Sequence, residues 1–255
     1  MPDLWDPAQY QRFREERTQP FRDLLALVEP RQSLRAADLG CGTGELTLLL
    51  HRTLLARETV GIDNSAAMLA AAPREAGLRF EQQDIEQFAP AEPFDLIFSN
   101  AALHWVPGHP EILRRLAAAL APGGQLAVQM PMNDAHASHR AAHELARTPE
   151  FSPLLGGFEG RPPLLDPVRY AGLLRDFGFV RRKVRVEIYG HLLESREQVI
   201  EWVRGALLID YQKRLLPPDW ERFLKAYREL LLPQLPDQRP FLYTYPRIFL
   251  WGALP

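Results

Sequence analysis

From Arg35 to Met130 the chain alternates short apolar runs with stretches of helical spacing. The runs are Arg35–Leu39, Thr59–Asp63, Leu78–Asp84, Phe94–Ser99 and Gln125–Met130. Between them, Glu45–Leu55, Ser65–Ala72 and Pro110–Ala121 read as helices, the last stopped by Pro122-Gly123-Gly124. Strands alternating with helices predict a parallel sheet with helices on both faces. The runs are nearly continuous in apolar residues, as in strands buried on both sides. Upstream, residues 7–28 read as a helix, with Asp6 as its cap and Pro7 in its first turn. Phe21, Leu24, Leu25 and Val28 repeat at helical spacing, and Pro20 is expected to break or restart that helix.

The pattern changes after Pro131. Residues 132–165 are rich in polar residues, Pro and Gly and show no clean period. Val168–Phe177 reads as a helix ended by Gly178, and Val180–Tyr189 as a half-exposed strand in which Val184, Val186 and Ile188 alternate with charged residues. Residues 195–235 read as helical, interrupted at Pro217-Pro218, and Tyr243–Trp251 as a last strand. A single domain over residues 1–255 is expected. Residues 30–131 form its core, and 132–165 and 190–240 are insertions suited to a lid or to substrate recognition.

The chemistry concentrates where the first strand meets its turn, in Ala37-Asp38-Leu39-Gly40-Cys41-Gly42-Thr43-Gly44. Gly40, Gly42 and Gly44 let the backbone turn tightly and let a ligand approach it, with the next helix pointing its N-terminus at that ligand. Asp63 ends the second strand about 20 residues further on, where an acid accepts from ribose hydroxyls. A dinucleotide site usually carries G-x-G-x-x-G, whereas the glycines here run G-x-G-x-G. A carboxylate at Asp38 would repel a pyrophosphate and, once buried, needs a partner. The methionyl ammonium of S-adenosylmethionine supplies one. Asn64 and Met68 follow Asp63 in the same turn. Asp84 and Ile85 suit the adenine amine and ring, although Asp84 equally suits a loop cap. Asn100 and Ala101, just past the fourth strand, suit the methionyl end of the cofactor.

Composition and charge narrow this picture. The 255 residues are 46% hydrophobic and 24% charged, with a net charge of −2. This is an ordinary globular balance that argues against a nucleic-acid partner or an anionic membrane surface. Cys41 is the one cysteine, which fits a reducing cytoplasm. There is no signal-like N-terminus and no apolar run of about 18 residues, so no membrane span is expected. His136, His139 and His143 share a helical spacing, but without a further ligand they read as solvated helix histidines, and no metal site is expected.

Together these residues resemble the class I S-adenosylmethionine-dependent methyltransferases, most closely over residues 30–131. Several segments carry a narrower resemblance, to the family of trans-aconitate 2-methyltransferases. In chain order they are Trp5-Asp6-Pro7 with Tyr10, Phe13 and Glu16-Arg17; Gly61-Ile62-Asp63-Asn64-Ser65 with Met68; Asn100 to Trp105; Val128-Gln129-Met130-Pro131; Glu201-Trp202-Val203; and Tyr245-Pro246-Arg247-Ile248-Phe249. Thr43 and His104 depart from residues common in such relatives. The resemblance implies a Rossmann-like α/β fold. Its mostly parallel seven-stranded sheet ends in an antiparallel pair, Val180–Tyr189 and Tyr243–Trp251. It also implies monomethylation of a small polycarboxylic acid such as trans-aconitate by a cytoplasmic monomer.

A carboxylate acceptor is ionised at neutral pH and needs no general base. It needs orientation, exclusion of water and cationic donors for its other carboxylates, for which arginine's planar fork is suited. Arg247 is the first candidate, although a solvated strand arginine is an equal reading. Arg17 and Arg204 follow; each equally suits a helix surface, and for Arg204 the surface reading is the favoured one. Trp105, Trp202, Tyr211 and Tyr245 suit pocket walls or core packing. Tyr10 and Trp5 suit closure over the cofactor. His104, and less so His191, could bind a carboxylate or act as a base, and a structural histidine is at least as good a reading. Two alternatives stay open: a methyltransferase of the same fold for a phenol, amine or carrier-bound acyl group, and a non-catalytic S-adenosylmethionine-binding module.

Overall fold

The apolar runs pair as their patterning predicts, in the computed structural model, which describes residues 14–255 and, for side chains, residues 18–255. Strands β1 (Arg35–Leu39), β2 (Glu58–Asp63), β3 (Leu78–Gln82), β4 (Phe94–Asn100) and β5 (Leu120–Pro131) pair in parallel. Two late strands, β6 (Arg181–Leu193) and β7 (Phe241–Ala253), complete a seven-stranded sheet of order β3-β2-β1-β4-β5-β7-β6. β7 is antiparallel to β5, with Gln125 opposite Ala253 and Pro131 opposite Arg247. This is the fold class read from the sequence. The centre of the sheet is buried: every residue of β1 is inaccessible, and β4 is buried at Phe94 and from Leu96 to Ser99.

Helix α1 (Arg14–Leu25) runs unbroken through Pro20, against the expected break. A proline inside a helix costs about 3 kcal/mol. Here it is offset by burial of Phe21 and Leu24, worth about 1.5–3 kcal/mol each. Both are almost inaccessible, and the Phe21 ring lies 5.0 Å from that of Phe98 in β4. Helix α2 (Glu45–Thr53) follows the glycine turn, and α3 (Ala66–Leu69) is one turn capped by the Ser65 hydroxyl, which accepts from Met68 N–H.

The fourth helix, α4 (His109–Ala118), stops before Pro122-Gly123-Gly124. Those three residues lie inside β5 instead, because the β4–β5 register slips between Phe94 and Leu96 and the extra residues bulge out. The third strand is also shorter than read. It ends at Gln82, and Asp84 caps a single turn at Ile85–Gln87.

The described chain divides into two compact units. One holds the residues up to Pro131 with Leu165–Glu187 and Arg247–Pro255. It contains α6 (Pro167–Asp176), which Asp166 caps by accepting from Val168 N–H. The other is built from Met132–Leu164 and Ile188–Pro246. Its helices are α5 (Ala137–Ala146), α7 (Gln198–Arg204), α8 (Ile209–Gln212) and α9 (Pro217–Leu231). The stretch read as aperiodic therefore contains α5. The small Ala141, Ala142 and Ala146 form its buried face, an amphipathic signal too weak to show among Pro and Gly. Helix α9 packs on it with Trp220, Phe223 and Tyr227 buried, and the Tyr227 hydroxyl donates to Ser138 O at 3.0 Å.

Candidate functional site

The site is built where β1, β2 and β4 end, at the carboxyl edge that binds ligands in open α/β sheets. Leaving β1, the chain turns at once, with Gly40 N–H and Cys41 N–H both donating to Ile62 O at 2.7 and 3.0 Å. Gly40 has φ +76, and a Cβ there would lie 2.1 Å from the Cβ of Ala102. Only glycine fits that crossing of two backbones. Gly42 follows with φ +57, and Gly44, the left-handed cap of α2, with φ +75.

Asp63 holds this turn from the next strand. One carboxylate oxygen accepts from Gly42 N–H at 2.8 Å, the other from Ser65 N–H at 2.9 Å. Each oxygen keeps a second lone pair for a ligand hydroxyl. Asn64 is exposed beside it, and the buried Met68 reaches toward Gly42. Ile85 lies beside Gly40, while Asp84 spends one oxygen on its own cap, accepting from Glu86 N–H at 2.8 Å.

Asp38 is buried and accepts from the Thr47 hydroxyl at 2.7 Å. Burial pushes its carboxyl up to about 7; the Thr47 hydrogen bond opposes the shift, and the neighbouring charge of Asp63 adds to it. A cation arriving nearby would favour the carboxylate, so this group is poised for a positively charged ligand. Asn100 ends β4 with its buried Oδ1 lacking any hydrogen-bond partner. Ala101 follows in the left-handed region at φ +54, its N–H donating to Gln129 O at 2.9 Å. The cradle that a Cβ would fill, the free lone pairs of Asp63 and the unpaired Asn100 oxygen fit S-adenosylmethionine.

Arg247 stands in β7 and is buried, not solvated; only 5% of its surface is exposed. Its Nη1 donates to Gln129 Oε1 at 3.5 Å. The registers pair Asn100 with Gln129 and Pro131 with Arg247, so Asn100, Gln129 and Arg247 share one sheet face. His104 and Trp105 sit on a single turn after Ala102, their rings 4.9 Å apart.

The remaining aromatic candidates fall in the other unit. Trp202 of α7 has its ring 5.6 Å from Tyr243, 5.8 Å from Tyr245 and 4.6 Å from His191. Asn133 Nδ2 donates to the Tyr243 hydroxyl at 3.2 Å. Tyr211 is not in this group; it stacks on Phe223 at 5.2 Å. Arg204 is a surface charge, 4.0 Å from Glu201. Arg17 lies in α1, and its side chain, like all of Tyr10 and Trp5, is outside the described residues.

The three spaced histidines are half-buried and not on a fully solvated face. Burial holds the imidazoles of His136, His139 and His143 below the usual range, and Ser138 Oγ lies 2.8 Å from His136 Nδ1 and 3.2 Å from His139 Nδ1. Among the described residues no cluster of three His, Cys, Asp or Glu could hold a metal ion, and no helix is long and apolar enough to cross a membrane. Sequence reasoning missed Gln129, Asn133 and Tyr243. The findable one was Gln129, a lone polar residue inside Leu126-Ala127-Val128-Gln129-Met130.

Known proteins show the same pattern. The family described as "Methyltransferase domain" matches residues 10–183. A trans-aconitate 2-methyltransferase of Deinococcus radiodurans is 42% identical, covering 98% of both chains. One of Streptomyces avermitilis is 38% identical, covering 96% of this chain and 95% of the other. Among solved structures, the YcgJ protein of Bacillus subtilis aligns with a TM-score of 0.62 at 15% identity, over 93% of this chain and 98% of that one. Phosphoethanolamine N-methyltransferase 2 of Haemonchus contortus, solved with S-adenosylhomocysteine, aligns with a TM-score of 0.55 at 15% identity, over 93% of this chain and 52% of that one. At those identities the structural likeness speaks to the fold.

Proposed function

Because the chain belongs to the trans-aconitate 2-methyltransferase family of S-adenosylmethionine-dependent methyltransferases, we propose that it esterifies one carboxylate of a small polycarboxylic acid, with trans-aconitate as acceptor. The observation that carries this reading is Arg247. It is a buried guanidinium on the sheet face that also bears Asn100 and Asp38, at the end of the strands where the cofactor turn lies. A buried arginine facing a ligand site selects an anion, and its fork matches a carboxylate.

Bound S-adenosylmethionine supplies a methyl group already activated by its sulfonium. The chain's part is to hold and orient. In this reading Gly40, Gly42 and Gly44 admit the nucleoside and Asp63 accepts from its ribose hydroxyls. Asp84 and Ile85 meet the adenine, with Asn64 and Met68 beside them. Asn100 Oδ1 and the backbone at Ala101 receive the ammonium end, whose charge keeps Asp38 ionised. Arg247 grips a carboxylate that does not react, leaving another in line. His104 and Trp105 wall the acceptor. No base is required, since the acceptor is ionised well below neutral pH. We take the enzyme to be a cytoplasmic monomer, in keeping with its single cysteine.

The test is incubation with labelled S-adenosylmethionine and a panel of di- and tricarboxylic acids, with methyl esters read by mass spectrometry. Trans-aconitate is expected to be labelled. Arg247→Ala is expected to raise the acid KM by about 10- to 100-fold without changing cofactor affinity. His104→Ala is expected to keep most of kcat. Labelling of a phenol or amine, with no acid labelled, would sink the acid reading and leave the methyltransferase assignment intact.

A further inference from the structure

Two glutamines of β5 point from the same face of the strand, four residues apart, and are treated differently by the fold. Gln125 is fully used. Its Oε1 accepts from Glu29 N–H at 2.8 Å and from the Trp251 indole at 3.0 Å, and its Nε2 donates to Glu29 O at 2.9 Å. Gln129 has no exposed surface at all, and its Nε2 has no partner. The orientation of that amide is not arbitrary. Arg247 can only donate, so the atom facing its Nη1 must be Oε1, and the amino group is turned the other way. Buried donors left unpaired are rare and costly, and in a native protein they call for an explanation.

The neighbouring strand shows the opposite polarity. Asn100, in register with Gln129, has an unpaired Oδ1 that can only accept. Adjacent strands thus present an acceptor beside donors on one face. The acceptor suits the cationic end of the cofactor, whereas the unpaired amino group of Gln129 calls for an acceptor group, and an anion placed there would lie beside the guanidinium of Arg247.

We propose that Gln129 is a specificity-determining residue, donating its amide N–H groups to a non-reacting carboxylate of the acceptor alongside Arg247. This rests on the acid-acceptor reading and sharpens it. The acid must carry a second carboxylate to meet the unpaired amide of Gln129, so a monocarboxylic acid of matched shape is a poor ligand. Binding exchanges a buried unpaired amide for a buried paired one.

The experiment is calorimetric titration of the full chain, saturated with S-adenosylhomocysteine, using trans-aconitate and fumarate as polycarboxylates and crotonate as the matched monocarboxylate. Wild type, Gln129→Met, Gln129→Glu and Arg247→Ala are compared, with Tm and S-adenosylhomocysteine Kd measured for each. Gln129→Met keeps the length and removes the donors. It is expected to weaken trans-aconitate by about tenfold, to leave S-adenosylhomocysteine within about twofold, and to change Tm little, because losing the long hydrogen bond from Arg247 to Oε1 is offset by removing an unpaired buried donor. Gln129→Glu places a carboxylate against Arg247 and is expected to abolish acid binding in a folded protein. Three results overturn the inference. One is unchanged trans-aconitate affinity in Gln129→Met while Arg247→Ala loses it, which leaves the acid reading standing. Another is a parallel fall of Tm, S-adenosylhomocysteine affinity and acid affinity, which marks a structural glutamine. The third is crotonate binding to wild type as tightly as trans-aconitate. Failure of wild type to bind any acid removes the acid reading itself.

Discussion

The glycine turn and the Trp202 group are two ways of building a local structure. The first is made by backbone. Gly40, Cys41 and Gly42 bond to Ile62 and Asp63, and the chain between 38 and 65 supplies nearly every partner. The second is made by side chains from Asn133, His136, His191, Trp202, Tyr243 and Tyr245, brought together from distant stretches of chain. A backbone cradle tolerates almost no substitution and is indifferent to the acceptor. An aromatic wall tolerates exchange of one apolar ring for another.

Substitutions test this contrast. Gly40→Ala is expected to be the most damaging, because it combines a left-handed backbone with an overlap against Ala102. The cost is about 3 kcal/mol or more, a fall in Tm of about 10 °C, with S-adenosylhomocysteine binding lost by calorimetry. A mild phenotype would mean that the turn is not the rigid element described. Asp63→Asn comes next. An amide cannot accept from both Gly42 and Ser65, so cofactor Kd should rise by about 10- to 100-fold while acid specificity among active molecules stays the same.

Asp38 gives a pH effect of intermediate size. Its carboxyl is raised in the folded protein to about 7. Between the unfolded value near 4 and that folded value, the folded state holds more protons. The cofactor-free protein therefore loses stability as pH rises through this window. A cationic ligand favours the ionised form, so cofactor affinity should fall as pH drops below about 7, by up to about tenfold per unit, with proton release on binding. Asp38→Asn should flatten both profiles; titrations in buffers of different ionisation enthalpy would reveal a profile that stays steep. The smallest effect is expected from Tyr243→Phe, which removes the hydroxyl that accepts from Asn133. It should cost about 1 kcal/mol of stability and leave cofactor Kd unchanged. A shift in cofactor Kd of similar size would erase the distinction between the two surfaces.

The cofactor side was largely legible because its signals are local. A strand, three glycines and an acid at the end of the next strand sit within a few dozen residues and constrain one another. Helix α5 was hidden because its buried face is mostly alanine, and the run through Pro20 because tertiary burial outweighed a local rule. Arg247 was legible as a candidate but not as a buried group: an arginine in an aromatic strand reads the same whether it faces water or the interior.

By itself the sequence determined the order of strands and helices up to Pro131, the parallel core and the nucleotide-type turn. Each follows from periodicity or from stereochemistry that only glycine satisfies. Tertiary structure alone decided which polar groups share a face. It set β7 between β5 and β6, brought Arg247 to Gln129, and left Gln129 and Asn100 each with an atom unpaired. Such groupings depend on register between strands more than a hundred residues apart, and no local pattern encodes that.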